Sequence, residues 1–174
     1  MALITTVSPE KAEGQIAQAY KPFLDTVGVV PKPLEMMSAS PELLKLQAEI
    51  IGYFMQHPAL GFPLLTFIRL LVSVEYDYEY CIGFNSGLLE SQGISADLLA
   101  LVKTDPSQAP LEEKDKAMLL FVLKAVKTPA AVQPSDVDGL RELGWNDKDI
   151  FDAVAHGMGM IGPSKMFKAF RMEG

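Results

Sequence analysis

The chain has 174 residues, with 15 basic and 22 acidic side chains, one cysteine and two histidines. This length predicts one domain over residues 1–174, and 49% hydrophobic with 21% charged residues is typical of a globular protein. One cysteine excludes an internal disulfide and a cysteine-based zinc site, and two distant histidines make a multi-histidine metal centre a poor fit, so no cofactor is expected.

The charge pattern also limits the class of partner. The net charge is −7 and no basic cluster is present, so nucleic acid is not expected. Residues 1–6 lack a basic region and an apolar run, which predicts no signal peptide. The most apolar segment, residues 60–74, contains Pro63 and Arg69 and is shorter than the ~20 residues of a membrane-spanning helix. These features predict a cytoplasmic protein without a membrane partner.

Helix start signals recur along the first half of the chain. Ser8-Pro9-Glu10 and Ser40-Pro41-Glu42 each combine an N-cap serine, a first-turn proline and an acid. Apolar residues follow each start at helical spacing, and Gly28 and Pro58 end the two helices. Pro63 opens a third helix that is apolar nearly all round, as in a central buried helix or one covered by a partner subunit.

Residues 75–81 interrupt this helical pattern. They alternate acidic and aromatic side chains with a period of two, which resembles a strand. A lone strand cannot satisfy its backbone groups, so we interpret the segment as a helix–loop–helix junction. Further helices are predicted over 82–89, 95–102, 111–126, 135–143 and from Asn146 or Asp147 onward. The predicted fold class is therefore all-α.

The junction also concentrates reactive side chains. Tyr78, Cys81 and Asn85 share one helix face at i, i+3 and i+7, and Glu75 is a candidate base beside them. A cysteine in the first helical turn has its pKa lowered by the helix dipole, whereas the neighbouring carboxylates raise it. The alternative is that Cys81 is a small buried hydrophobe, the tyrosines are packing residues and the acids are solvated.

The two histidines have structural and chemical interpretations. His156 lies beside Gly157 and Gly159, so it is a proton carrier or a helix-face residue where glycine permits close helix approach, and we favour the second. His57 precedes Pro58 and is interpreted as a helix terminator with a charge favourable at a helix C-terminus. The glycines near His156 lack the strand–turn–helix context of a nucleotide-binding loop.

Four segments together resemble the carboxymuconolactone decarboxylase and alkylhydroperoxidase D-like superfamily, and within it the branch of peroxidase-related proteins. The resemblance covers most of the chain and implies an alkylhydroperoxidase D-like helical bundle. The resemblance rests on the order and spacing of the four segments. These segments are Pro9 to Tyr20, Gly28 to Leu44, Leu70 to Asn85, and Leu143 to Ile150.

The resemblance places the family's redox motif on this chain and shows where the chain departs from it. Family peroxidases carry a Cys-x-x-Cys pair, a following histidine and a preceding glutamate. With Cys81 as the second cysteine, the first falls on Tyr78 and the histidine on Asn85. The glutamate falls on Thr66, and a further histidine found between the cysteines falls on Tyr80. An intramolecular dithiol mechanism is then impossible, because Cys81 has no resolving partner.

Three functions follow as hypotheses, each with a small-molecule substrate or ligand. The first is an antioxidant oxidoreductase, a one-cysteine peroxidase that uses Cys81 and an external thiol reductant. The second is a cofactor-free acid–base enzyme acting on a small lactone or carboxylic acid through Glu75, Tyr78 and Asn85. The third is a non-catalytic binding or assembly protein. A homo-oligomer is also predicted, from the apolar third helix and a mean hydropathy of +0.18.

Overall fold

A computed structural model describes residues 2–172, and the regular elements within them are helices. No helix in this part of the chain is both long and apolar enough to cross a membrane. The all-α prediction is confirmed. The α-helices in chain order are α1 (Gly14–Val27), α2 (Lys32–Met37), α3 (Pro41–Met55), α4 (Phe62–Glu75), α5 (Glu79–Glu90), α6 (Ala96–Thr104), α7 (Glu113–Lys127), α8 (Pro134–Glu142), α9 (Asp147–Met158) and α10 (Ile161–Ala169).

The junction between α4 and α5 has the predicted helix–loop–helix form. Asp77 turns the chain with a φ of 49°, a left-handed conformation that aspartate tolerates better than most residues. The backbone N–H of Tyr78 then donates to the carbonyl of Ser73 at 2.9 Å. Of the alternating acids and aromatics, Glu75 ends α4, Glu79 and Tyr80 begin α5, and residues 76–78 form the loop between them.

The chain forms two compact units, and the first comprises the described residues up to Gln56 and from Lys165. In it α1 and α2 pack against α3 around Tyr20 and Leu44. Two start signals differ from prediction, because neither Ser8 nor Ser40 makes a side-chain cap, and Ser8 precedes a 3₁₀ turn (Pro9–Lys11) rather than α1. Helices α2 and α10 were not predicted. The single domain over 1–174 stays a prediction.

The second unit, His57 to Ser164, is built around α4. This helix packs against α5, α7 and α9, and most of its side chains are buried within the chain itself. The first of the two interpretations of this apolar helix, a central buried one, is therefore confirmed. Burial of an apolar side chain contributes about 1.5–3 kcal/mol to the stability of the folded state. The buried side chains of α4 therefore stabilise the unit that carries the candidate site.

Gly157 lets α9 approach α7 and α4 closely. A Cβ at this position would lie 2.7 Å from Val122 Cγ1 and 3.4 Å from Ile68 Cγ2. The first of these distances is too short for an unstrained contact, so the prediction that a glycine next to His156 permits close helix approach is confirmed for Gly157. Gly159, which follows the last residue of α9, differs because the nearest atoms to its would-be Cβ are backbone oxygens of α9.

We expect Gly157→Ala to lower the free energy of unfolding by about 1–3 kcal/mol, because overpacking forces the helices apart. Urea unfolding followed by circular dichroism measures this loss. Gly87→Ala is the matched control, since Gly87 lies inside α5 with nothing within 4 Å of its would-be Cβ. Alanine there should be neutral or stabilising by up to about 1 kcal/mol. Equal effects of the two substitutions would contradict the close-approach explanation.

His57 follows α3, and its side chain holds the backbone of the loop that leads into α4. Its side chain is fully buried, and Nδ1 accepts the backbone N–H groups of Ala59 at 3.2 Å and Leu60 at 2.9 Å. On the other side of the ring, Nε2 lies 3.1 Å from the carboxylate of Asp152 and 3.3 Å from Nζ of Lys148. The charge at a helix C-terminus stays a prediction.

Candidate functional site

Arg69 lies at the centre of a polar cluster inside the second unit. Its Nε donates to Asn85 Oδ1 at 2.8 Å, and its Nη2 donates to Thr66 Oγ1 at 2.8 Å. Its Nη1 lies 3.4 Å from Nε2 of His156 on α9. The cluster therefore joins α4, α5 and α9, and Arg69 reaches all three because α4 is the central helix of the unit.

Cys81 lies in the first turn of α5, below the N-cap residue Tyr78. Both are buried, with 6% of Cys81 and 1% of Tyr78 exposed. Burial raises the pKa of the Cys81 thiol to about 11, although the Tyr78 hydroxyl and the positive charge of Arg69 both lower it. Desolvation therefore outweighs the two groups that would stabilise a thiolate, and Cys81 is a neutral thiol at pH 7.

Thr66 and Asn85, to which the sequence resemblance assigns the glutamate and histidine of family peroxidases, hold the arginine instead of moving a proton. The Thr66 hydroxyl accepts from Arg69 and donates to the carbonyl of Phe62 at 2.7 Å. Asn85 accepts from Arg69 and donates from Nδ2 to the carbonyl of Cys81 at 2.8 Å. Neither side chain titrates, so these bonds fix geometry and carry no proton relay.

His156 enters the cluster as a neutral imidazole. Burial, followed by the nearby positive charge of Arg69, lowers its pKa to about 3, although a hydrogen bond with the Leu65 carbonyl opposes the shift. Nε2 faces both the Arg69 guanidinium at 3.4 Å and the Leu65 carbonyl at 3.3 Å. It can accept from the first or donate to the second, according to its tautomer.

Glu75 lies apart from these contacts. It is exposed at the end of α4 and forms an ion pair with Lys127 of α7. The hydrogen bonds of the cluster connect Arg69 with Thr66, Asn85 and His156 and do not include Glu75. The structure therefore brings together Tyr78, Cys81 and Asn85 of the four predicted site residues, and the role of Glu75 as a base stays a prediction.

Sequence reasoning did not identify Arg69 as a site residue. It noted this arginine only as an interruption of the apolar segment that becomes α4. The available signal was a single cation on a helix apolar nearly all round, three residues after Thr66, because a charge at such a position needs polar partners from other helices. The involvement of His156, 87 residues away, had no local signal.

Comparison with known proteins identifies the fold. No family model matches the chain, and no curated protein matches it. One similar solved structure is an uncharacterized peroxidase-related protein from Silicibacter sp. TM1040, with a TM-score of 0.82 and 18% identity over 98% of this chain and 90% of that one. Another is an alkylhydroperoxidase AhpD core, an uncharacterized peroxidase-related protein from Ralstonia eutropha JMP134, with a TM-score of 0.82 and 20% identity over the same shares.

The protein is thus an all-helical protein with the alkylhydroperoxidase AhpD-core fold, and the predicted alkylhydroperoxidase D-like fold is confirmed. Both neighbours are peroxidase-related proteins, which agrees with the branch indicated by the sequence resemblance. The similarity covers nearly the whole chain, so the helices that carry the Arg69 cluster lie within the shared fold.

Proposed function

We propose that the protein is a thiol-dependent peroxidase of the one-cysteine type, with Cys81 as the reacting thiol. The observation that carries this proposal is the environment of the sulfur. Cys81 lies in the first turn of α5, and the Tyr78 hydroxyl and the positive charge of Arg69 both act to lower the pKa of its thiol. Each of these three groups stabilises a thiolate more than a thiol.

The reaction begins when the Cys81 thiolate attacks one oxygen of a hydroperoxide. The O–O bond breaks, a sulfenic acid forms on Cys81, and the leaving alkoxide takes a proton to become an alcohol. A small external thiol then displaces water from the sulfenic acid and forms a mixed disulfide. A second external thiol attacks that disulfide, which returns Cys81 to the thiol and releases the oxidised reductant as a disulfide. The external thiol replaces the missing resolving cysteine at position 78.

Proton removal is the slow part of this cycle. The positions of the family relay are Thr66 and Asn85, which cannot act as bases, and the neutral His156 contacts Arg69 and the Leu65 carbonyl. The proton of Cys81 therefore passes to solvent, and the rate at neutral pH is limited by the small thiolate fraction.

Cys81→Ser tests the proposal. The assay follows consumption of tert-butyl hydroperoxide with dithiothreitol as reductant. We expect the protein-dependent rate to fall to the background of the uncatalysed reaction, because serine cannot form a sulfenic acid. Cys81 is the only cysteine, so no second thiol of the chain can substitute for it. Turnover unchanged in Cys81→Ser would refute the proposed peroxidase.

A non-catalytic binding or assembly protein is the second candidate. It is favoured by the burial of Cys81, whose exposed fraction is 6% and whose pKa burial raises to about 11. A thiol in this state behaves as a small apolar core residue. This candidate gains support if wild type and Cys81→Ser both fold and neither accelerates peroxide reduction.

We also propose that the protein is a homo-oligomer, now on the basis of α3 rather than α4. One face of α3 exposes about half of each of four apolar side chains at the 3–4–3 spacing by which identical helices pair; they are Leu43, Leu46, Ile50 and Tyr53.

Sedimentation at micromolar concentration should show an oligomer that Leu46→Glu dissociates. The control is Leu101→Glu on α6, where a leucine of similar exposure lies outside the α3 face. A wild-type monomer, or equal effects of the two variants, would contradict the proposal.

A further inference from the structure

Arg69 is a partly buried cation without a counter-charge among the described residues. Its hydrogen-bond partners Thr66, Asn85 and His156 are all uncharged groups. The other ionisable group whose charge acts on it is Cys81, which is a neutral thiol at pH 7. Burying a cation is costly unless it is paired, so the cluster as it stands is electrostatically incomplete.

The surface arginine Arg141 provides the contrast. It forms ion pairs with Asp138 and Asp147, both at 2.8 Å. Arg141 is exposed and could be stable with water alone, yet it has two carboxylate partners. Arg69, which is less exposed, has none within residues 2–172. An anion bound at Arg69 therefore offsets a larger unfavourable electrostatic free energy than an anion bound at a surface arginine.

The guanidinium also has donors to spare. Of its five N–H groups, Nε donates to Asn85, one on Nη2 donates to Thr66 and one on Nη1 faces His156. Nη1 and Nη2 therefore each keep one N–H without a protein acceptor in the described part of the chain. Two parallel N–H donors at the end of a guanidinium match the two oxygens of a carboxylate.

We propose that Arg69 binds the carboxylate of a small monoanionic organic ligand at the Cys81 end of the cluster. One negative charge balances the one positive charge. Cys81 at this end of the cluster is buried and is a neutral thiol at pH 7, which favours a ligand whose remainder is apolar and disfavours a multiply charged one. Thr66 and Asn85 already fix the plane of the guanidinium, so binding loses little side-chain entropy.

This inference rests on the proposed peroxidase in one respect, the substrate class. With Cys81 as the peroxidase thiol, the substrate is a hydroperoxide that carries a carboxylate. Arg69 would then bind the carboxylate and hold the peroxide group near the Cys81 sulfur. Binding itself does not require turnover, so the two proposals can fail separately.

The test uses sodium propionate as the probe, with propionamide as the neutral isostere, at constant ionic strength. A ligand that binds only the folded protein stabilises it, and at ten times its dissociation constant we expect the Tm to rise by about 3–6 °C. Propionamide should leave the Tm unchanged. Equal shifts with the two compounds, or no saturable shift with propionate, would overturn the proposal.

Variants assign the effect to one residue. Arg69→Met should abolish the propionate shift, and Arg141→Met should retain it, because Arg141 is a surface residue already paired with aspartates. Should Arg69→Met fail to fold, Arg69→Lys decides: it keeps the charge but loses the paired donors, so we expect propionate to bind at least tenfold more weakly. A full propionate response in either folded Arg69 variant refutes the assignment.

The Cys81→Ser variant separates the two proposals. It should bind propionate as wild type does while losing peroxide turnover. Propionate binding without turnover in the wild type would contradict the peroxidase proposal and support the anion site. Turnover without propionate binding would support the peroxidase proposal and contradict the anion site.

Discussion

The rate of alkylation of native Cys81 by iodoacetamide should rise about tenfold for each pH unit between pH 7 and 10, a change of about a thousandfold, because only the thiolate reacts. Burial raises the pKa of Cys81 to about 11. Below that value the thiolate fraction increases tenfold per unit, and it levels off only above pH 11. Mass spectrometry of the modified protein measures the rate without ambiguity, since the chain has one cysteine.

The urea-unfolded protein is the control for this profile. Its cysteine should titrate with an ordinary pKa near about 8.5, so its alkylation rate should level off above about pH 9. A native profile that also levels off near pH 9 would contradict the prediction, because it would mean that Cys81 reacts only after local opening. A plateau already at pH 7 would show that Tyr78 and Arg69 outweigh burial. The peroxide-reduction rate should follow the native profile if Cys81 is the reacting group.

His57→Ala should lower the free energy of unfolding by about 2–4 kcal/mol, because it leaves two backbone N–H groups without an acceptor at about 1–3 kcal/mol for each fully buried group. These are the N–H groups of Ala59 and Leu60, of which the second is the more deeply buried. The loss of the contact to Asp152 and of the buried ring adds to the effect. Urea unfolding monitored by circular dichroism gives the value.

His57→Asn is the matched variant. An asparagine oxygen accepts N–H groups two or three residues further along the chain, as in turns and helix caps. It can therefore replace Nδ1 but cannot reach Asp152 as the imidazole does. We expect it to recover at least half of the stability lost in His57→Ala. Equal losses in the two variants would mean that ring packing, and not the acceptor at Nδ1, is what His57 contributes.

Residue spacing predicted the helices well where they are long and amphipathic. The Asn146 side chain caps α9 and the Ser95 side chain caps α6, as the cap residues indicated. The six residues of α2 are too few to show a helical period, and so this helix was missed. The Ser8 signal was misplaced, because a proline-started 3₁₀ turn uses the same first residues as an α-helix.

The site was predicted in part. The i, i+3, i+7 spacing placed Tyr78, Cys81 and Asn85 on one face of α5, since these positions depend only on local helix geometry. The direction of the Cys81 pKa shift could not be derived in the same way. It depends on how much of the surrounding protein excludes water from the sulfur, and the neighbouring carboxylates that sequence suggested as the opposing influence are not among its causes.

The sequence by itself determined an all-helical chain, a turn before Cys81 and a redox motif with one half missing, because each of these depends on residues close together along the chain. The tertiary structure decided what fills the place of the missing relay. Packing of α4, α5 and α9 puts Arg69 between Thr66, Asn85 and His156. Helical periodicity tells which side chains face the interior, but only the packed helices determine which of them meet there, and thus where an unpaired charge lies.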